Sequence, residues 1–339
     1  MIFTPVSFKN ITLPGRMIRS ATEFFCADEK GHIPEFERKA YEILARQPLG
    51  MIITAHTCVS PEGRSNKWQN AAWSEEYLDE CTALAKTAKS GGVPVVMQLG
   101  HGGMKAEGNN GGLPVYTPDS MTAEEIRGVV QAFGRAAKLA KDAGFDGMML
   151  HGAHMYLLSQ CFYPEYNHRT DAYGGSGEKR FRIVREAALE VKKTCGDDFP
   201  VFLKINGDDR NNTEEYHRDL VTALRIAEEC GIEAAEISGW SSARGGKPGT
   251  PYFIDNVRRL VNETDLPLIE VGGIRTRQQM LEVLDAGAKA FSVSRPLICD
   301  PEFPAKLKNG ETDESACTGC CKCFRPMDLT KKHRCAQFE

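Results

Sequence analysis

Short runs of apolar residues recur along the chain, separated by longer segments in which apolar residues are spaced three or four apart. The runs are Met17–Ser20, Met51–Thr54, Pro94–Leu99, Gly147–His151, Pro200–Ile205, Ala234–Ser238, Pro267–Val271 and Ala290–Val293. Continuous apolar runs, rather than strict alternation with polar residues, are typical of parallel strands that are covered on both faces. The pattern therefore predicts eight buried parallel strands.

The segments between these runs have the start and stop signals of amphipathic helices. Thr122 and Glu125 have the spacing of a capping box, in which the two side chains bond the first free backbone N–H groups of a helix. Gly144 and Gly287 come where helices would end, since glycine readily adopts the left-handed conformation of a helix C-terminus. Further helices are predicted near Ser74–Lys89, Glu178–Thr194, Thr213–Glu229 and Tyr252–Asn262, and after a second capping box at Thr276 and Gln279.

Eight strand–helix units in one chain predict a (β/α)8 TIM barrel. The alternative is a doubly wound open sheet, which usually has a GxGxxG or GxxxxGK[ST] motif after an early strand. The sequence contains neither motif, which favours the barrel. We expect residues 1–310 to form the barrel and residues 311–339 to form a cysteine-rich extension that binds a cluster.

Composition excludes several classes of protein. Of the 339 residues, 41% are hydrophobic and 26% are charged, which is typical of a globular chain rather than a disordered one. The net charge of −4 shows none of the basic excess of a nucleic-acid-binding protein. The N-terminus does not resemble a signal peptide, and no apolar run is long enough to span a membrane. We expect a cytoplasmic protein without nucleic-acid or membrane partners, and an oligomer is possible.

The turn after the fourth predicted strand has three side chains suited to carbonyl chemistry, namely His151, His154 and Tyr156. In a TIM barrel the carboxyl ends of the strands converge on one site. Two neutral imidazoles can each donate one hydrogen bond to a carbonyl oxygen, and a phenol holds a proton at neutral pH. A metal site would need a third ligand, and histidines bonded within the core are the remaining alternative.

The loops after the seventh and eighth strands have the residues of a phosphate site. Gly272 and Gly273 allow close approach of the backbone, and Ser294 and Arg295 follow the last strand, where TIM barrels commonly bind phosphate. Turn glycines and a solvated arginine are the alternative. Gln98 and Lys204 suit the polar edge of a flavin ring, although either could be an ordinary polar residue of the barrel interior.

These residues lie in segments that resemble the flavin-dependent Old Yellow Enzyme family, in particular the barrel domain of bacterial 2,4-dienoyl-CoA reductases. The matching segments are Arg16–Thr22, Gly50–Arg64, Met97–Gly103, Ala143–Ser176, Val271–Arg275 and Val293–Pro301. The resemblance implies FMN at the barrel mouth, where reduced FMN delivers hydride to the β-carbon of an α,β-unsaturated carbonyl or thioester. In this ene-reductase scheme His151 and His154 bind the carbonyl oxygen, and Tyr156 protonates the α-carbon.

The resemblance also implies which residues contact FMN. The ring is surrounded by Ser20, Ala21, Thr22, His56, Gln98 and Lys204, and the phosphate is held by Gly272, Gly273, Ser294 and Arg295. Some positions depart from the family pattern. Lys204 stands where arginine is usual and Met155 where glycine is usual, and Ser241 replaces a histidine of the dienoyl-CoA reductases, which puts a 2,4-diene substrate in doubt.

Five of the 12 cysteines crowd into the last part of the chain. Cys317, Cys320, Cys323 and Cys335 have the spacing C-x2-C-x2-C-x11-C, with Cys321 as a spare thiol. Four thiolates at such spacing suit a [4Fe–4S] cluster, and the same set could bind zinc. The dienoyl-CoA reductase branch has a similar motif, with one residue more between its second and third cysteines. Free reduced thiols are the third interpretation.

The electron donor and two rival functions remain open. The chain stops at Glu339, whereas longer relatives continue into FAD- and nucleotide-binding domains. We therefore expect either direct reduction of FMN by NAD(P)H or a separate electron-donor protein. One rival is a flavin-free barrel aldolase or isomerase on a phosphorylated substrate, with Lys204 forming a Schiff base. The other is a redox-sensing or electron-carrier module that uses the cysteine-rich tail.

Overall fold

Eight parallel strands close into a barrel. The structure is a computed structural model and describes residues 1–240, 249–324 and 335. The strands are β1 Met17–Arg19, β2 Met51–Ile53, β3 Val95–Gly100, β4 Gly147–Gly152, β5 Val201–Asn206, β6 Ala235–Ser238, β7 Leu268–Val271 and β8 Ala290–Val293. Each pairs in parallel with the next, and pairing of β8 with β1 closes the ring. The TIM barrel is thus confirmed, and each predicted strand is correct to within one residue.

Helices cover the outside of the barrel. Those described are α1 Glu35–Ala45, α2 Leu78–Ala88, α3 Ala123–Asp142, α4 Leu157–Phe162, α5 Gly177–Cys195, α6 Glu214–Glu229, α7 Ile254–Leu260, α8 Arg277–Asp285, α9 Arg295–Cys299 and α10 Phe303–Asn309. Both predicted capping boxes form, at Thr122 before α3 and at Thr276 before α8. The sequence analysis missed α1 and the short helices α4, α9 and α10. Within the described ranges, no helix has the length and apolar character to cross a membrane.

The barrel interior is apolar at its amino end and polar at its carboxyl end. The apolar layer consists of Ile18, Ile53, Val96, Met149, Phe202, Ala234, Ile269 and Ala290. A hairpin of two-residue strands, Val6–Ser7 and Thr12–Leu13, covers this end, and Phe8 packs edge-on against Phe202 with ring centroids 5.8 Å apart. Two residues further along the strands, side chains facing the same way form a buried polar layer of Ser20, Gln98, His151, Lys204, Glu236 and Ser292. Within the barrel, a polar ligand is therefore expected at the carboxyl end.

The first part of the predicted extension packs back onto the barrel. The backbone N–H of Ser315 donates to the carbonyl of Arg275 at 2.9 Å, and the N–H of Arg277 donates to the carbonyl of Asp313 at 2.8 Å. These bonds bring residues 317–324 to the rim of the barrel mouth. Ser241 and residues 325–334 and 336–339 lie outside the described residues.

Candidate active site

A single cavity at the carboxyl end of the strands gathers the predicted catalytic and cofactor-binding residues. Its walls include Ser20, Ala21, Thr22, His56, Gln98, His151, His154, Tyr156, Lys204, Gly272, Gly273, Ser294 and Arg295. These residues come from seven separate stretches of sequence and meet because parallel strands present their carboxyl ends to one face of the barrel. The geometry within this cavity decides what each of them can do.

A tight turn between β4 and α4 brings His151, His154 and Tyr156 together. His154 and Met155 both adopt the left-handed conformation, with φ angles of 58° and 60°, which folds the chain back after the strand. The imidazoles of His151 and His154 lie 5.1 Å apart at an interplanar angle of 86°, and the Tyr156 ring is 4.5 Å from that of His151. Two imidazoles and a phenol thus face one part of the cavity.

Burial fixes the protonation states of these three groups. Loss of hydration lowers the pKa values of His151 and His154 well below the usual 6.5, and the neighbouring ammonium of Lys204 acts in the same direction. Burial raises the pKa of the Tyr156 phenol above its usual value of 10. At neutral pH the site therefore has two neutral imidazoles and one protonated phenol.

The two imidazoles differ in the hydrogen bonds that they already make. The Nδ1 atom of His151 is buried and has no hydrogen-bond partner among the described residues. The Nε2 atom of His154 lies 2.8 Å from the Ser238 hydroxyl, which helps to fix the orientation of that ring. A buried nitrogen without a partner is costly unless a ligand satisfies it. A carbonyl oxygen of a bound molecule would satisfy His151.

His56 packs against His151 and Tyr156. Its ring lies 4.4 Å from that of Tyr156 and 5.0 Å from that of His151, and burial lowers its pKa to about 3. The side-chain nitrogen of Gln69 lies 2.9 Å from His56 Nε2, while the Gln69 side-chain oxygen accepts from the N–H and the hydroxyl of Ser65. Ser65 in turn hydrogen bonds Tyr156. The sequence analysis missed Gln69 and Ser65, which lie in a long loop without periodicity.

Lys204 has a buried partner that the sequence analysis did not predict. Its Nζ atom lies 2.5 Å from Glu236 Oε2, and both side chains are almost inaccessible to solvent. The hydroxyl of Ser20 lies 3.2 Å from the ammonium and 3.3 Å from Glu236 Oε1. The only sign of this partner in the sequence is a single glutamate, Glu236, within the apolar run that forms β6.

The other end of the cavity is shaped by glycine. Gly272 and Gly273 have φ angles of 132° and 74°, and a Cβ atom at either would lie within 3.0 Å of the Tyr252 ring. Ser294 and Arg295 line the same cavity as these glycines. Close approach of the backbone and a nearby guanidinium together suit a phosphate.

The tail cysteines are not gathered into the predicted ligand set. Cys317 and Cys323 line the cavity, the side chain of Cys320 is exposed, and Cys335 hydrogen bonds the buried thiol of Cys299. Cys321 lies 3.0 Å from an Arg295 nitrogen. In the part of the chain that the structure describes, no three His, Cys, Asp or Glu side chains are close enough to hold a metal ion. The residues as arranged do not fit a cluster or zinc.

Known proteins share both the sequence pattern and this fold. The model of the NADH:flavin oxidoreductase / NADH oxidase family matches residues 1–314. The NADPH dehydrogenase of Halalkalibacterium halodurans is 31% identical over 327 residues, which are 92% of this chain and 95% of that protein. An Old Yellow Enzyme homologue from Zymomonas mobilis superposes with a TM-score of 0.77 at 23% identity, over 93% of this chain and 94% of its own. A 2-naphthoyl-CoA reductase in complex with 2-naphthoyl-CoA has a TM-score of 0.82 at 23% identity, over 94% of this chain and 54% of its own.

The two structures, at their low identity, establish the fold, while the family model and the bacterial relative establish membership across nearly the whole chain. This membership favours a flavin enzyme over the flavin-free aldolase that the sequence left open. The chain belongs to the NADH:flavin oxidoreductase / NADH oxidase family, the family of the Old Yellow Enzymes, and is a flavin-dependent oxidoreductase.

Proposed function

We propose that the protein is an ene-reductase that uses FMN and NAD(P)H to reduce a C=C bond conjugated to a carbonyl or a thioester. The main supporting observation is that His151, His154 and Tyr156 share one wall of the cavity and that His151 Nδ1 is buried without a partner there. Two N–H donors next to a proton donor suit a substrate that develops negative charge on oxygen and needs a proton on carbon.

The cavity fits FMN at both of its ends. The close approach at Gly272 and Gly273, together with Ser294 and Arg295, suits a phosphate group. Gln98 suits the pyrimidine edge of the ring, because its side-chain nitrogen bonds, among the described residues, Met149 Sδ at 3.2 Å, a weak acceptor that a cofactor oxygen would replace. The remaining ring contacts that we propose are Ser20, Ala21, Thr22, His56 and Lys204.

The residues around the substrate have distinct proposed roles. FMN, when bound, would supply hydride chemistry at the β-carbon, with NAD(P)H as the source of the electrons. His151 and His154 donate to the carbonyl oxygen, and loss of one such donor typically lowers the rate by ~10² to 10³. Tyr156 gives its proton to the α-carbon, which is possible because burial keeps the phenol protonated. The Lys105 ammonium, 4.6 Å from the Tyr156 ring centroid, stabilises the phenolate that remains.

The comparisons support the donor and the substrate class. The match to the bacterial relative named NADPH dehydrogenase spans nearly the whole length of both proteins. This supports direct reduction by NADPH rather than by a separate donor protein. The superposed reductase holds an aromatic thioester of CoA, which supports thioesters as candidate substrates beside simple enones. A cytoplasmic location suits a reaction that depends on NAD(P)H and belongs to the same proposal.

Anaerobic half-reactions test this function. Purified protein reconstituted with FMN is reduced with NADPH or NADH, and the bleached flavin is then mixed with 2-cyclohexenone or with saturated cyclohexanone. We expect bleaching by NADPH, rapid recovery of colour with the enone and none with the saturated ketone. Tyr156→Phe should bleach at the normal rate and recover colour ~10² or more times slower, since it lacks the proton donor. Failure to bind FMN would refute the proposal.

The spacing of Cys317, Cys320, Cys323 and Cys335 supports a separate proposal that the tail binds a [4Fe–4S] cluster, although the described arrangement does not fit one. We assign no electron transfer to it. Iron, sulfide and zinc analysis after anaerobic purification tests this, with Cys317→Ser as the variant that should lose the metal. Unchanged enone turnover in that variant would show that neither a cluster nor a redox-sensing role of the tail is needed for catalysis.

A further inference from the structure

The ion pair between Lys204 and Glu236 lies in the polar layer directly beneath the cavity. The two residues are aligned in the parallel pairing of β5 and β6, so their side chains leave neighbouring strands side by side. Lys204 and Ser20 line the cavity, whereas Glu236 lies behind them and is fully buried. Glu236 therefore reaches the cavity only through Lys204 and Ser20.

Glu236 changes the charge that the cavity experiences. An unpaired ammonium at this position would present a full positive charge to whatever lies above it. With the carboxylate 2.5 Å from Nζ, the pair as a whole is neutral, and its field weakens more steeply with distance than that of a single charge. Charges buried in a protein interior are poorly screened, so this difference extends to a bound ligand.

We propose that Glu236 is a positioning residue that lowers the reduction potential of the bound flavin by neutralising Lys204. This inference rests on the proposed function, in which Lys204 faces the pyrimidine edge of FMN. Reduction by hydride adds negative charge to that edge, and a lone ammonium would favour the reduced cofactor over the oxidised one. The neutral pair favours it less, which makes the reduced cofactor a stronger hydride donor to the substrate.

A purely structural role for Glu236 predicts a different result. If the carboxylate only holds Lys204 in place, its loss weakens binding of oxidised and reduced FMN alike. If it tunes the charge, its loss changes the ratio of the two affinities. That ratio sets the potential of the bound cofactor relative to free FMN, with a tenfold change equal to about 30 mV for two electrons.

The test compares the affinities of apoprotein for oxidised FMN and for dithionite-reduced FMN, both measured anaerobically. Glu236→Gln should shift the ratio about tenfold or more toward reduced FMN, which is a rise in potential of about 30 mV or more. Glu236→Asp keeps the charge and should stay near the wild-type ratio. The matched control is Glu270→Gln. Glu270 is buried in the adjacent strand β7 and bonds the Phe253 N–H, and it does not line the cavity.

Each result of this affinity comparison either supports or overturns the inference about Glu236. A ratio in Glu236→Gln equal to that of the Glu270→Gln control overturns the inference and leaves the proposed function intact, whereas wild-type protein that binds no FMN overturns both. Because Glu236→Gln leaves a buried cation without its partner, it could fail to fold. The comparison is then made between wild type and the charge-free double variant Lys204→Gln/Glu236→Gln. A neutral pair predicts a ratio within about threefold of wild type, whereas a shift of about tenfold toward oxidised FMN, expected for loss of an unneutralised ammonium, overturns the inference.

Discussion

The imidazole of His151 stands edge-on to that of His154, with ring centroids 5.1 Å apart and an interplanar angle of 86°. At this separation two imidazolium rings would repel strongly, and burial, together with the nearby ammonium groups of Lys204 and Lys105, lowers both pKa values well below 6.5. Under the proposed function the pair serves as two neutral N–H donors, and a substrate oxygen bound between them would gain directed hydrogen bonds without a charged partner.

The neutral pair predicts a turnover rate that does not change with pH near the usual histidine pKa. We expect kcat/KM for 2-cyclohexenone to show no ionisation near pH 6.5, since both rings are already deprotonated there. Stopped-flow recovery of flavin colour between pH 5.5 and 8.5 measures this without interference from NADPH binding. An ionisation near 6.5 that disappears in His151→Asn would contradict the assignment of neutral donors.

The same two histidines affect stability in acid. Their pKa values are depressed in the folded state, so below pH 6.5 the unfolded chain takes up protons that the folded chain does not. The stability that they contribute is present above pH 6.5 and is lost as the pH falls toward their folded pKa values. This expectation concerns unfolding and leaves the prediction for turnover unchanged.

Gly273→Ala should impair cofactor binding. Its φ of 74° disfavours alanine, and the added Cβ would lie 2.6 Å from the Thr250 carbonyl oxygen, so the backbone around Gly273 must shift. We expect FMN affinity to fall about tenfold or more and stability to fall by about 1–2 kcal/mol, measured by quenching of flavin fluorescence and by urea unfolding. Gly128→Ala is the control: its Cβ meets nothing within 4 Å in the middle of α3, so stability should rise by about 0.5–1 kcal/mol. Equal FMN affinities in the two variants would refute a phosphate site at Gly273.

Replacement of Met155 tests whether the turn between β4 and α4 is strained. Its φ of 60° is unfavourable for any residue with a Cβ, and its side chain is buried. Both Met155→Ala and Met155→Gly remove that buried side chain, but only the glycine variant also removes the Cβ. We expect the glycine variant to be more stable than the alanine variant by about 1 kcal/mol in urea unfolding. At Met104, which has no positive φ, the order should be reversed, and the same order at both positions would contradict a strained turn.

The sequence predicted the barrel strands well because each is a short, mainly apolar run bounded by turns. Helix α1, Glu35–Ala45, was missed because it begins after Pro34 with no side-chain cap and so lacks the start signal seen at Thr122. The residues at the strand ends could be assembled into one site because the barrel fold itself brings them together.

The residues behind that site could not be predicted in the same way. Glu236 meets Lys204 only because β5 and β6 pair in one particular register, which an apolar run does not specify. Gln69 reaches His56 from a loop whose path depends on tertiary contacts rather than on local pattern. The first layer of a TIM-barrel site can thus be read from strand ends, whereas the supporting layer depends on register and loop structure.

Glu270 should make the protein less stable as the pH rises. Its buried carboxyl accepts the Phe253 N–H, and loss of hydration raises its pKa from 4.5 to about 8. Between these two values the unfolded chain is ionised at this residue while the folded chain stays protonated. The contribution of Glu270 to stability therefore declines with increasing pH and levels off above about 8.

Glu270→Gln keeps the acceptor oxygen and cannot ionise. Relative to wild type, it should gain up to about 1.4 kcal/mol per pH unit across this window in urea unfolding. A difference between the two proteins that stays constant from pH 5 to pH 9 would contradict a protonated Glu270, because only a group that titrates differently in the folded and unfolded chains makes such a difference depend on pH.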